Sequence, residues 1–397
     1  MRGERRRLGA WILLLVAAVG VWGIVVGEGL APRPGQTLPA TAASAEPSFT
    51  PAPTSPSPAP TSTPSPSPTP EPTPEPGPPD ISDASVAVTK PYTWDLLIGG
   101  GIVYGRGVQQ RVELAGDARI PFADVRDLFR AADLGVATLE AVLSGEGNRY
   151  CTGCMTFVGN ESYAGAIADA GIDVLSVAAN HSGDAGRGGI LDSIRALTAA
   201  GLASFGGGAD LAAARAPAVV RVADVRVAFV GYNDVPPEFY GATETQAGHN
   251  HFFHDAAGYD RMRADIAAAR AVADLVIVVT SWGIEYEPRP RPWVVTAARA
   301  MVDAGADAVL GDHPHWVQPV EVYRDRYIAY SLGNFVFDQM WSTETRLGTL
   351  HHLYFHGTQL VSVRIVPTII EEYHRPRPLR PEEPLYRRTM ERVDPAR

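Results

Sequence analysis

From about Val86 onward the chain alternates between amphipathic stretches and short, unbroken apolar runs. A helical stretch ends in Ala or Gly, an Asp follows, an apolar run comes next, and polar residues land directly after it. Four copies are plain: Asp133 to Glu140, Asp173 to His181, Asp274 to Ser281, and Asp307 to His315. Short apolar runs that follow amphipathic helices read as buried strands of an α/β sheet. The spacing predicts helices over 122–132, 163–170, 189–200, 259–272 and 294–304. Hairpins are expected to turn at Ala223 with Asp224 and at Arg324 with Asp325, and a long strand over about 360–366 is expected to close a sheet. Hairpins mixed with βα units predict a two-sheet α/β sandwich rather than a single parallel sheet.

The amino-terminal fifth obeys other rules. After Met1-Arg-Gly-Glu-Arg-Arg-Arg7 the chain carries no charge from Leu8 to Val26. Nineteen residues at about 1.5 Å each approach the roughly 30 Å of a bilayer core. Arginines on the amino-terminal side of this run place the remainder of the chain outside the cytoplasm. A cleavable signal peptide is the rival, but its apolar core is usually shorter. The reading is a cytoplasmic basic segment (1–7), a single-pass membrane anchor (8–27) and an extracytoplasmic folded domain. Of the 34 prolines, 18 lie between Pro32 and Pro79, so 28–85 reads as an extended, disordered spacer. The folded domain is expected over 86–367, and 368–397 as a charged, proline-rich tail over the surface. A net charge of −10 argues against a nucleic-acid partner.

Candidate chemistry falls at the carboxyl ends of the predicted strands, where α/β sheets bind ligands. Glu140, Asn180 with His181, Ser281 through Glu285, and Asp312 through His315 all sit there. His313 and His315 flank Pro314, and in an extended segment residues i and i+2 point the same way, toward one ion or two adjacent ions. The Asn180 carbonyl suits a divalent cation, and His181 is placed for proton transfer. His249, His251 and His254 read as a solvated loop, and His352 with His356 as edge-strand residues. Gly206 to Gly208 read as a turn, and Cys151 with Cys154 as a short-loop disulfide outside the membrane.

The run Gly100 to Arg106, Leu139-Glu140, Ala179-Asn180-His181 with Asp184 and Gly186, Trp282-Gly283-x-Glu285, Gly311-x-His313-Pro314-His315 and Gly333-Asn334-Phe335 resembles bacterial capsule-synthesis proteins of the CapA type. The resemblance implies a fold like calcineurin-type metallophosphoesterases and a role in poly-gamma-glutamate capsule synthesis, with the surface polymer and capsule-synthesis proteins as partners. It implies a divalent metal (Mn, Zn or Fe) on Asn180, His313 and His315, with His181 and Glu140 as catalytic residues and Asp312 and Glu285 as additional candidates. The chain departs from the pattern where an Asp is expected (Gly101), where an Asn is expected (Thr138) and where a His is expected (Ser281). A full two-metal site therefore looks incomplete, leaving one ion or none as alternatives. Two functions fit the pattern: a metal-dependent hydrolase or transferase, or an inactive relative that binds a surface polymer or an export partner.

Overall fold

The structure is a computed structural model that describes residues 77–145, 155–235 and 240–394. The expected anchor, most of the spacer and the Cys151–Cys154 pair lie outside these residues. Among the described residues no helix is long and apolar enough to cross a membrane.

Two sheets face each other. The first runs Asp80–Asp83, Gln359–Glu371, Leu347–His356, Trp94–Ile102, Leu134–Leu139, Val174–Ser176 and Ala203–Phe205, with Asn334–Val336 and Arg375–Pro378 paired alongside. The second runs Val320–Tyr323, Arg326–Ala329, Ala308–Asp312, Leu275–Ser281, Val225–Asn233 and Ala218–Val222. Successive side chains on a strand point to opposite faces, and the cores obey that period. Leu96, Ile98, Val136, Val227, Phe229, Ile277 and Leu310 share one cluster between the sheets. Their neighbours Leu97 and Ala137 face the helices outside the first sheet. Ala228, Val278 and Val309 face the helices outside the second. The expected two-sheet sandwich thus has helices on both outer faces.

The helices stand close to their expected places: Arg126–Ala131, Tyr163–Asp169, Gly186–Ala199, Ala256–Val272 and Pro292–Asp303. Pro292 opens its helix at a position where a missing N–H costs nothing, and Asp255 caps its own by accepting from the Gly258 N–H at 2.7 Å. Both hairpins turn through the left-handed region, at Ala223 and at Arg324 with Asp325.

The recurring Asp has a structural explanation that periodicity did not supply. Asp173 donates its N–H to the Gly135 carbonyl and accepts the Gly135 N–H on Oδ2, both at 2.8 Å. Asp274 clasps Arg226 in the same way, and Asp307 clasps Val276. Each carboxylate takes the N–H of a strand's second residue, one position before that strand's ladder with the Asp-bearing neighbour begins.

Four expectations are corrected. Leu347–His356 is flanked on both sides, so His352 lies in an interior strand, where its ring reaches Asp95 at 3.1 Å. His249 is buried rather than solvated, because Gly248–His249 pairs with Gly207–Gly208. The glycines permit this approach: a Cβ on Gly207 would stand 2.6 Å from Val177. Residues 368–394 are not a loose tail, since the closing strand runs to Glu371 and the helix Pro384–Val393 buries Tyr386, Met390 and Val393. The spacer's last residues are also folded, with Asp80–Asp83 forming an edge strand.

Candidate functional site

The two sheets bring their carboxyl ends together. In the first, Gly101 is level with Thr138, and Thr138 with Ser176. In the second, Asn233, Ser281 and Asp312 are level. Glu140 follows Leu139 directly, with its N–H on the Ile102 carbonyl at 3.0 Å. Asp312 ends its strand, and Asn180 opens a short 3-10 turn, Asn180–Gly183. Glu140, Asn180, Asp312, His313 and His315 are all at most 9% exposed.

The histidine pair does not have the extended geometry its spacing suggests. His313 and His315 have φ values of 92° and 59°, both left-handed. The two rings nevertheless stay 5.8 Å apart between centroids. Tyr286, also left-handed at φ 63°, donates its N–H to the Pro314 carbonyl at 2.8 Å and stacks on His315. Such conformations in residues with side chains cost about 1–3 kcal/mol each and gather at functional sites.

Hydrogen bonds fix the His315 tautomer. The Asn334 amide nitrogen donates to Gln339 Oε1 at 3.0 Å and to the Thr345 carbonyl at 2.8 Å, which turns its oxygen to His315 Nδ1 at 2.9 Å. Nδ1 therefore carries the proton, and Nε2 presents a lone pair. Nε2 lies 3.9 Å from Glu285, which stands at the exposed rim. His181 Nδ1 is held by Asp184 Oδ2 at 2.8 Å, and its ring packs on Phe157. Asp184 Oδ2 also accepts the Phe157 N–H at 2.6 Å.

Electrostatics show how closely these groups gather. Burial, then the charges of Asp312, Glu285 and Asp184, hold the Glu140 carboxyl well above its usual range. Burial pushes Asp312 up to about 7, against the His313 N–H and Thr138, which favour its charged form. Burial, then His315 and His181, push His313 well down. Burial lowers His315 to about 4; the Asn334 bond works against that shift, and His181 and Arg106 add to it. Both imidazoles are therefore neutral near pH 7, the form that binds metal.

Four buried donor atoms here have no hydrogen-bond partner: Glu140 Oε1, Asn180 Oδ1, Asp312 Oδ2 and His313 Nδ1. Buried polar atoms are rarely left so, and each such case calls for a ligand, an ion or water. Carboxylate and amide oxygens with imidazole nitrogens suit a divalent cation. The fit is one of donor type, because among the described residues no three His, Cys, Asp or Glu side chains already surround one point.

Sequence reasoning gave no role to Asp184, Asn334 or the Arg106–Asp338 pair, joined at 2.7 Å and 3.1 Å beside Phe157. The signal for Asp184 was present, since i and i+3 meet on a helical turn. Asn334 stood in the Gly333-Asn334-Phe335 motif, but nothing there tied it to a histidine nineteen residues away. Trp282, read as part of a site motif, is buried with its indole N–H on the Tyr330 carbonyl at 2.8 Å, and so shapes the strand end.

Residues 95–339 match the family described as Bacterial capsule synthesis protein PGA_cap. The capsule biosynthesis protein CapA of Bacillus anthracis is 40% identical over 209 residues, 52% of this chain and 50% of that protein. The chain thus spans about half the length of that relative. The PGA biosynthesis protein CapA of Bacillus subtilis is 33% identical over 282 residues, 69% of this chain and 72% of that one. Among solved structures, one described as a 5′-nucleotidase from Staphylococcus aureus aligns with a TM-score of 0.42 at 12% identity, covering 70% of this chain and 55% of that one.

Proposed function

The chain belongs to the family of bacterial capsule synthesis proteins, PGA_cap, and on that footing we propose that it acts on a polyglutamate-type surface polymer or its precursor through a divalent cation at the edge where its sheets meet. The observation that carries this reading is the set of four buried, unpartnered donors on Glu140, Asn180, Asp312 and His313, beside the fixed lone pair of His315. Glu140, Asn180, Asp312, His313 and His315 would hold the ion. When bound, it supplies polarisation of a substrate oxygen or of water during hydrolysis or transfer at a phosphoester, amide or similar bond.

The chain's own residues do the rest. Asp184 holds His181 with its Nδ1 protonated, which leaves Nε2 to take or give a proton. The aromatic packing of Phe157 keeps that ring in one orientation. Glu285, at the rim, is the candidate for orienting a substrate rather than the ion. The apolar run 8–26 supports membrane anchoring, with the folded domain outside the cytoplasm. Partner proteins of capsule synthesis are part of the same proposal.

A second reading, a cleft that binds polymer or an export partner without chemistry, draws on Gly101, Thr138 and Ser281 and on the absence of a closed three-residue cage among the described residues. Calorimetry separates the two. The metal-stripped full chain is titrated with Mn²⁺, Zn²⁺ and Fe²⁺ beside a His313→Ala/His315→Ala double variant. Micromolar binding that the double variant abolishes is expected. Absent binding, or binding indifferent to both histidines, sinks the metal reading and leaves the binding module.

A further inference from the structure

Three consecutive glycines, Gly99 to Gly101, stand just before the last residue of the strand Trp94–Ile102, at the site, and they are glycine for different reasons. A Cβ on Gly99 would stand 3.0 Å from the Phe335 ring, and one on Gly100 2.4 Å from the Gly333 carbonyl oxygen. Both are packing constraints. At Gly101 the obstruction is chemical: a Cβ would stand 2.1 Å from Glu140 Oε2 and 3.3 Å from Asp312 Oδ2. The carboxylate of Glu140, arriving from the adjacent strand, occupies the space a side chain at 101 would fill. Asp312, arriving from the other sheet, reaches the same point.

We infer that glycine at 101 is a requirement of the cation site rather than the loss of a ligand: the bare backbone admits the Glu140 carboxylate beside Asp312, and this pair is the anionic half of the site. The inference deepens the metal reading above and rests on it. Among the described residues neither carboxylate has an ion-pair partner, and each keeps one oxygen, Glu140 Oε1 and Asp312 Oδ2, without a hydrogen bond. Two buried carboxylates at one point repel unless a proton or a cation lies between them. The unpartnered Asn180 Oδ1 comes from a third segment and the unpartnered His313 Nδ1 from the residue after Asp312, and neither is acidic. The cluster is therefore more than an accumulation of negative charge. Gly101 acts as a positioning residue, because it touches the ion only through the carboxylate it lets in.

The obstructing atom at 101 is the end of a flexible side chain, and Gly101 is absent from the residues with positive φ. An alanine there is therefore accommodated by moving Glu140 aside, with the strand intact. The test uses the metal-stripped full chain with Mn²⁺ as the probe, read by calorimetry, and the melting temperature of the metal-free protein as the measure of folding. Gly101→Ala is expected to weaken Mn²⁺ binding at least tenfold. Gly101→Asp, which adds a carboxylate but displaces Glu140, is expected not to tighten it. Glu140→Gln and Asp312→Asn, which keep shape and remove charge, are each expected to weaken binding at least tenfold and so stand in if either Gly101 variant fails to fold. Gly165→Ala, where a Cβ meets nothing within 4 Å, is the control. Unchanged or tighter binding by Gly101→Ala, or tighter binding by Gly101→Asp, with the His313→Ala/His315→Ala variant still inactive in binding, overturns the inference and leaves the metal reading standing. No Mn²⁺ binding by the unaltered chain overturns both.

Discussion

His315 shows how much of the site depends on a residue that never faces it. Its ring is useful as a ligand only while Nδ1 keeps the proton, and Asn334 enforces that with an oxygen whose orientation Gln339 and Thr345 dictate. Outer partners of this kind are typically worth about 10–100-fold in metal affinity. Asn334→Ala is expected to lose affinity in that range and to give mixed tautomers in ¹⁵N spectra of the His315 ring; a single unchanged tautomer counts against the role. The same spectra test the protonation state. With a folded value of about 4 and an unfolded value near 6.5, the ring stays neutral until the pH is well below 6. The depressed folded value sets the sign. The ring's contribution to stability is complete above about pH 6.5 and is lost as the pH falls through about 4. A ring titrating near 6.5 in the folded protein contradicts its burial.

Strands and helices were the most legible level of the sequence. The period-2 and period-3.6 patterns located five helices, both hairpins and the sandwich, because burial selects side chains strand by strand. The candidate residues were legible for a related reason: polar groups directly after apolar runs must sit at strand ends. What the pattern could not carry was pairing. Whether Leu347–His356 is an edge or an interior strand depends on neighbours at both flanks. Likewise, the space that Glu140 fills at Gly101 depends on the register of Gly101 against Thr138. The clasping aspartates belong here too, visible as a repeat but not as a bond. Asp173→Ala leaves the Gly135 N–H without its acceptor at a largely buried strand start, at a cost of about 1–3 kcal/mol. Urea denaturation should show that loss with Mn²⁺ affinity held within twofold, since the strand end carrying the site is untouched. A stability change under about 0.3 kcal/mol would mean the clasp is ornamental.

Both ends of the described chain fold onto one edge of the first sheet, which composition could not foresee. Proline count and charge report what a segment can bury alone, whereas Asp80–Asp83 and Pro384–Val393 bury themselves against a surface built by other residues. Asp80 lies level with Ser362, Ser362 with Tyr354, and Tyr354 with Asp95. The chain therefore enters the sheet at the end where Trp94–Ile102 begins, and the site lies where that strand finishes. At about 3.3 Å per residue, the six residues from Asp95 to Gly101 put roughly 20 Å between them. Stability and binding should consequently separate. A chain beginning at residue 86, the boundary that composition suggests, loses the edge strand and the Ala84 N–H bond to the Ile365 carbonyl. It should melt lower than one beginning at residue 77. Met390→Ala, which empties part of the core between the sheets, should cost about 2–5 kcal/mol. In both proteins Mn²⁺ affinity should stay within twofold below the melting transition. Equal melting temperatures for the two starts would place the edge strand outside the cooperative fold. A loss of affinity in proportion to stability would mean that the strands do not hold the site as a rigid end, and that its donors depend on the far edge of the sheet.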